Sequence, residues 1–363
     1  MNIFFLINTL RSGGAQQALT SILENFKKEN LNVYLIVIDR KNKIDSTISN
    51  DNLNVIYLNS STKKPFNVLK NLFYLTNRHK PKYIIATGNS EIIIFSRLIC
   101  FLKKIKNISW IQFDYENSVP RSIYKKIIWI LFFKKFSFID NKIVLISNYL
   151  KKRYISDLGW DIKKISIIPN TFSRDYINLF KNKKVKNKII LCPGRLDYDK
   201  NHLEIIKALN VFKNKYDNFK CLFIGEKGNA YKDIKESIQF NKLEKNIKIE
   251  KFSNSKKFLQ KLNSSFLVIL ASKKEPFGVI ALETIFLKKN FIISNSTGFK
   301  DIIKGIKARN IIHNYKNSEE IYKKIMSLYS KPLKQTEKEI FYERIIKNFE
   351  SKTVFKKWKK IIV

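Results

Sequence analysis

The sequence predicts an α/β protein made of two doubly wound parallel sheets, one after the other along the chain. Three observations carry this reading. Short runs rich in Ile and Val alternate with longer amphipathic stretches, the pattern of strands separated by helices. Such alternation builds βαβ units and a parallel sheet covered on both faces. The pattern runs to about residue 170, breaks at a polar connector and begins again. A chain of 363 residues also exceeds what one hydrophobic core ordinarily serves, so two domains of about 150–200 residues are expected.

In the first domain, residues 2–7, 33–38, 53–58, 83–86, 108–111 and 143–146 read as buried strands, with helices over stretches such as 15–28 and 66–79. Pro169-Asn170 opens a connector rich in Lys and Asn that reaches Lys188. This sets the domains at 1–170 and 171–339. In the second domain the strands are 189–192, 219–224, 247–250, 266–270 and 291–293, with helices near 202–215, 230–241, 255–263 and 279–288. The tail is helical, with Phe355 and Trp358 on one side. Residues from about 340 to 363 are expected either to end the chain as a plain helix or to pack back on the first domain.

Composition narrows the class. At 44% hydrophobic and 28% charged residues the chain is a folded, soluble one, since disorder requires far fewer apolar residues. Cys100, Cys192 and Cys221 lie far apart in apolar runs, which excludes a disulfide framework or a paired-cysteine metal site and suits a reducing compartment. His79, His202 and His313 form no zinc-binding cluster. The net charge of +40 is divided between the halves, with 27 basic against 11 acidic residues in 1–170 and 43 against 19 beyond. An excess so spread reads as a chain-wide bias rather than a single nucleic-acid patch, yet it draws the protein to anionic surfaces. No secretory signal opens the chain, and the most apolar run, residues 127–133, stops at Lys134-Lys135, too short to span a bilayer. A cytoplasmic location is expected.

Ligands of open α/β sheets bind at the carboxyl ends of strands beside helix N-termini. Four such loops carry unusual residues. After the first strand, Gly13-Gly14-Ala15-Gln16 combines two glycines with a helix start, where backbone can approach an anion or merely turn. Gly194-Arg195-Leu196-Asp197-Tyr198-Asp199-Lys200-Asn201 offers an arginine fork and a lysine point charge able to converge on a diphosphate. In a chain with 70 basic residues, the plainer alternative is a solvated loop. Ile224-Gly225-Glu226-Lys227-Gly228 runs a strand into a glycine turn. The fourth loop decides the matter. Strand 266–270 leads to Glu275-Pro276-Phe277-Gly278-Val279, with Glu283 about two turns into the following helix. Pro276 suits a helix start, and Gly278 removes a side chain where a ligand would meet it.

With these residues the sequence resembles the glycosyltransferase family 4 enzymes, nucleotide-sugar-dependent transferases of the GT-B fold. The resemblance spans nearly the whole chain. Glu275 to Glu283 fits the family's Glu-x7-Glu motif, Arg195 and Lys200 its Gly-Arg-Leu-x4-Lys-Asn segment, and Gly13 to Gln16 its first loop. Ile168-Pro169-Asn170 fits its hinge. Glu275 to Gly278, together with residues 298–304, is most similar to bacterial lipopolysaccharide-core galactosyltransferases.

The resemblance implies two Rossmann-like domains facing a central cleft and a retaining hexosyl transfer, from a nucleotide-diphosphate sugar, UDP-linked by preference, to a bacterial surface glycan or glycolipid. It implies that Arg195 and Lys200 bind the donor diphosphate and stabilise the departing nucleotide. Glu275 would contact the transferred sugar and Glu283 the ribose. Gly225, and backbone N–H groups of Phe277, Gly278 and Val279, would line the donor, and Gly14 would let the first domain close over its phosphates. No metal and no cofactor beyond the nucleotide sugar is expected.

Departures from the family are visible. Where a histidine is common near the donor sugar, the chain has Gln112-Phe113-Asp114, so Gln112 or Asp114 is the candidate on the acceptor or donor-sugar side. Thr171 replaces the hinge glycine. Residues 121–135 are basic at both ends with an aromatic, apolar middle; they read equally as a helix docking on an anionic membrane or as a buried helix with snorkelling lysines. Two other functions compete. A basic nucleic-acid-binding protein would bind DNA in a strongly salt-dependent way and take no nucleotide sugar. A sugar-nucleotide epimerase on the same fold would release product without an acceptor.

Overall fold

The computed structural model describes residues 1–10, 14–27, 29, 31–39, 54–172, 174–178, 188–296, 298–304 and 309–362. The chain divides into two units, Met1–Thr171 with Ser351–Val363, and Phe172–Glu350.

The strands of the first unit are β1 (Asn2–Ile7), β2 (Asn32–Val37), β3 (Asn54–Tyr57), β4 (Tyr83–Thr87), β5 (Lys106–Ile111), β6 (Asp140–Leu145) and β7 (Ile165–Ile167). Its helices are α1 (Gly14–Lys27), α2 (Pro65–His79), α3 (Ser90–Lys103), α4 (Ile123–Ile128) and α5 (Asn148–Ser156). The strands form one parallel sheet in the order β3-β2-β1-β4-β5-β6-β7. The order reverses at β1, whose Leu6 pairs with Ile36 on one side and Ala86 on the other. Right-handed crossovers then put α2, α3 and α4 on one face and α1 on the other. Sequence-level features set the helix ends. Pro65 fills the first turn of α2, and the Asn89 side chain caps α3 by accepting from Ile92 N.

Between β5 and β6 the helical path changes pitch. α4 passes into a wide-turn stretch, Trp129–Lys134, and then a tight one, Lys135–Ile139. A buried ion pair fixes it. Arg97 of α3 meets Asp140 at 2.6 Å, both almost fully buried, and also donates to the carbonyls of Phe132 and Phe133. Asp140 in turn accepts from Ser109 and Asn107. The Arg97 guanidinium lies over the rings of Phe133 and Trp160.

The second unit opens with α6 (Arg174–Asn178). Along the chain follow β8 (Ile189–Pro193), α7 (His202–Lys213), β9 (Lys220–Ile224), α8 (Tyr231–Phe240), β10 (Ile247–Glu250), α9 (Ser255–Ser264) and β11 (Leu267–Leu270). Then come α10 (Val279–Phe286), β12 (Asn290–Ser294), α11 (Phe299–Ile303), β13 (Ile311–Ile312), α12 (Ser318–Ser330) and α13 (Gln335–Phe349). The six strands are parallel in the order β10-β9-β8-β11-β12-β13, with the reversal at β8. Where the chain enters and leaves this unit, Phe172 bridges Glu350 and Arg174 lies 3.9 Å from it.

The tail corrects one expectation. Residues from 340 to 363 are not one helix, because Glu350 is extended and ends α13, which packs on α10 within the second unit. Only α14 (Ser351–Ile362) belongs to the first unit, where it lies on α1. Its Phe355 stacks edge-on against Phe26 at 5.0 Å, and its Trp358 against Trp110, also at 5.0 Å. The residues 179–187 of the expected connector lie outside the described residues.

Candidate active site

In the second unit, the strand order reverses between β8 and β11, and the loops leaving their carboxyl ends lie together. Lys273 N donates to Asp199 O at 2.7 Å, tying one loop to the other. Across this junction Lys200 Nζ meets Glu275 Oε2 at 2.5 Å, so residues 75 positions apart form one ion pair. Gly194 makes room for it. At φ +144° it lets the Lys200 stem pass over the backbone, where a Cβ would approach Lys200 Cγ to 3.3 Å.

The Glu275 loop is held from the next strand end. Gly298 N donates to Glu275 O at 2.7 Å, and a Cβ on Gly298 would lie 2.3 Å from that oxygen. Phe277 turns into the core against Phe349, and Val279 is buried. Gly278 has φ +93°, with the Phe299 ring against its open side; a Cβ there would strike that ring. α10 begins immediately after, so the N–H groups of its first turn have no acceptor within the helix. Glu283 is buried on the same helix.

Arg195 and Lys200, expected to act together, have different partners. The Arg195 side chain is 67% exposed and pairs with Asp197, whereas Lys200 is only 26% exposed. Asp197 also accepts from Asn229 N at 2.9 Å and so joins this loop to the one after β9. Gly225 belongs to that joint. A Cβ on it would lie 1.9 Å from Gly194 O, so close backbone packing already requires glycine there. Sequence reasoning gave Asp197 no role and used Gly298 only as part of the segment 298–304 that carries the resemblance. A carboxylate two residues after Arg195 was a readable signal for the first; the contact of Gly298 with the Glu275 loop has no local signal.

His202 starts α7 beneath this loop. It is buried against Phe223, and burial lowers its pKa to about 4, so the imidazole is neutral at physiological pH. Its Nδ1 has no hydrogen-bond partner among the described residues.

In the first unit, Gly14 is the first residue of α1, and residues 11–13 lie outside the described residues. Gln112 follows β5 and donates from Nε2 to Thr87 at 2.9 Å, leaving its buried Oε1 unpartnered among the described residues. Asp114 is committed elsewhere. Its carboxylate accepts from Tyr149 at 2.6 Å and from Arg153 at 3.2 Å, in a knot where Arg153 also binds Glu116 and Asp157. Burial and the Asp114 carboxylate push the Tyr149 phenol up to about 12, so it stays a donor. Of the two candidates, Gln112 is the one with a polar atom to offer. Beside it opens a cavity of about 610 Å³ at the ends of β4 and β5, lined by Asn89, Glu91, Phe113, Asn117, Arg121 and Lys125, among others.

Among the described residues, no His, Cys, Asp and Glu side chains gather where they could hold a metal ion, and no helix is long and apolar enough to cross a membrane.

Residues 176–351 match the family model of glycosyl transferases group 1, a segment containing Arg195, Lys200, Gly225, Glu275, Gly278 and Glu283. The chain has the GT-B fold, and its second unit carries the group 1 glycosyl transferase segment. Solved structures share its fold over nearly its whole length. A glycosyltransferase from Rickettsia africae superposes with a TM-score of 0.79 at 22% identity, covering 99% of this chain and 97% of that one. Anabaena HepE in complex with UDP and glucose gives 0.80 at 16% identity, covering 99% and 98%. The lipopolysaccharide outer core galactosyltransferase WaaB gives 0.70 at 16% identity, covering 100% and 99%. No curated protein matches the chain at the level of sequence. The paired Lys200 and Glu275 thus fall inside the family segment, at the place where a doubly wound sheet receives its ligand.

Proposed function

We propose that the protein is a retaining hexosyltransferase that moves a sugar from a UDP-sugar onto a bacterial surface glycan. The acceptor is a growing lipopolysaccharide, lipooligosaccharide or capsule chain, or a lipid-linked oligosaccharide, met at the inner face of the cytoplasmic membrane. The observation that carries this reading is the Lys200–Glu275 pair at the start of α10, where a strand-order reversal, a helix N-terminus and a positive-φ glycine coincide. HepE with UDP and glucose and the galactosyltransferase WaaB, both of the same fold, support the choice of donor and acceptor class.

In transfer, the bond from the sugar's anomeric carbon to the diphosphate breaks, and negative charge builds on the departing phosphate oxygen. Lys200, already aimed by Glu275 and the Gly194 turn, meets that charge with little rearrangement. Arg195 exchanges Asp197 for the diphosphate and adds a planar fork. Backbone N–H groups of Phe277 to Val279 take the remaining phosphate oxygens, Glu275 accepts from the sugar hydroxyls, and Glu283 from the ribose. Two cations and a helix terminus supply the charge that a metal ion would otherwise bring. Gln112 and the adjoining cavity receive the acceptor. No protein nucleophile is assigned.

A panel of UDP-, GDP-, ADP- and dTDP-sugars read by thermal shift at moderate salt tests the donor. A UDP-sugar should raise the melting temperature, Arg195→Ala should weaken that effect, and Glu275→Gln should abolish transfer while the fold persists. Stabilisation by no donor, or wild-type turnover by Glu275→Gln, would overturn the assignment. Turnover of the donor to an epimer without any acceptor would do the same.

A further inference from the structure

Large apolar side chains are unevenly exposed over the chain. Among the described residues, twelve lie open on the first unit and four on the second. Ten of the twelve sit on one helical layer. α3 packs against α2 on one side and the segment 129–139 on the other, so the three form a continuous sheet covering. α2 exposes Phe66 (85%), Phe73 and Tyr74, and the end of α3 exposes Phe101 and Leu102. On α4 and its extension, Ile123 (79%), Ile127 and Leu131 recur every four residues beside Tyr124 (73%), with Phe138 beyond. The opposite faces of the same elements hold Leu72, Ile99, Trp129 and Phe133 in the core. The layer therefore has a buried inner face and an outer face on which these apolar side chains stand open.

The charge on this layer is one-sided. From residue 54 to 139 there are 15 basic residues and three acidic ones. Asp114 and Glu116, two of the three, are bound to Arg153. Lys70, Lys126 and Lys135 stand exposed among the aromatic side chains. Exposed aromatic and aliphatic groups rimmed by lysine, on helices parallel to a surface, are what an anionic bilayer interface holds. A nucleic acid would ask for the cations but not for Phe66, Ile123 or Ile127, and a second copy with the same charge would be repelled.

We infer that the outer face of α2, the end of α3 and residues 123–138 is a docking surface for an anionic phospholipid bilayer. The acceptor cavity adjoins it: Arg121 and Ser122 just before α4 and Lys125 within it line that cavity, while Ile123, Tyr124 and Ile127 of the helix are exposed. One short helix thereby joins the lipid surface to the acceptor site. The docking inference rests on the proposed function only in expecting the acceptor at a membrane.

The full chain should cosediment with vesicles of phosphatidylcholine and phosphatidylglycerol in equal parts, not with phosphatidylcholine alone, and less so as salt rises. The triple variant Phe66→Ser, Ile127→Ser, Phe138→Ser should lower the partition by about tenfold or more. Lys70→Glu, Lys126→Glu, Lys135→Glu should lower it by about a hundredfold. Phe240→Ser, on the second unit, should leave it unchanged. All three should keep their thermal shift with the UDP-sugar. Equal binding to neutral vesicles, or partition untouched by both triple variants, would overturn the inference. So would self-association or RNA binding that the same variants abolish in a chain that ignores vesicles. A chain that partitions as expected but takes no nucleotide sugar leaves the docking surface standing and removes the donor reading alone.

Discussion

The ion pair of Lys200 with Glu275 joins residues 75 positions apart at the ends of two neighbouring strands. Glu275 and Lys200 stand out because they flank strand ends in a chain whose period fixes where strands end. That they touch each other follows only from the order β8 next to β11, which no local pattern displays. Gly225 shows the converse. It read as an opening for a ligand, and the structure gives it a packing reason in the backbone of Gly194. His202 is a further case, because burial changes what the residue can do. Its pKa falls from 6.5 to about 4 through desolvation, with the Cys192 backbone carbonyl opposing. A group whose folded pKa lies below its unfolded one stabilises the native state fully above the unfolded value. That contribution is lost as pH falls from 6.5 through 4, since the unfolded chain takes up the proton first. The loss amounts to about 3 kcal/mol. Denaturant titrations across this window should show stability falling with acid in the wild type and a shallower slope in His202→Leu. An unchanged slope would mean that other groups set the acid limit.

Among the elements, long buried strands were readable and short or composite ones escaped. Strands such as β1 and β11 appear within a residue of the expected positions, because a buried parallel strand is a nearly continuous apolar run. β7 and β13, three and two residues long, have too little pattern of their own and are made by their neighbours. The segment 121–135 admitted two readings, membrane face or buried helix; the structure buries Trp129 and Phe133 and leaves Ile123 and Ile127 exposed. Its change of pitch depends on Arg97, an arginine inside an apolar helix whose partner, Asp140, lies 43 residues away. Removing Arg97 would leave the Asp140 charge buried and the carbonyls of Phe132 and Phe133 without their donor, and removing Asp140 would leave the Arg97 charge buried without its counter-ion. Arg97→Ala and Asp140→Ala should each cost about 3–5 kcal/mol of stability. Combining them should cost less than their sum, measured by guanidinium unfolding. Single losses below about 1 kcal/mol would show that water reaches the pair.

For the molecule as a whole, charge and chain path are the informative quantities. The net +40 was visible at once, but its pairing with an apolar surface on one layer required knowing which faces the sheet buries. The path is similar: a helical tail with Phe355 and Trp358 on one side was legible, whereas its break at Glu350 and its return to α1 were not. The first unit is thus completed by the last residues of the chain, which arrive after the whole second unit has been made. Trp358 is fully buried there, against Trp110 and Phe26. All four tryptophans, Trp110, Trp129, Trp160 and Trp358, lie in this unit, so tryptophan fluorescence reports its unfolding and not that of the second unit. Trp358→Ala should therefore lower the fluorescence-detected stability by about 3–5 kcal/mol. The thermal protection of the second unit by UDP-sugar, followed by circular dichroism, should survive the substitution. A fluorescence transition that stays in place would mean that α14 adds little to the unit it covers, and that the aromatic contacts with Phe26 and Trp110 are replaced by others when it leaves.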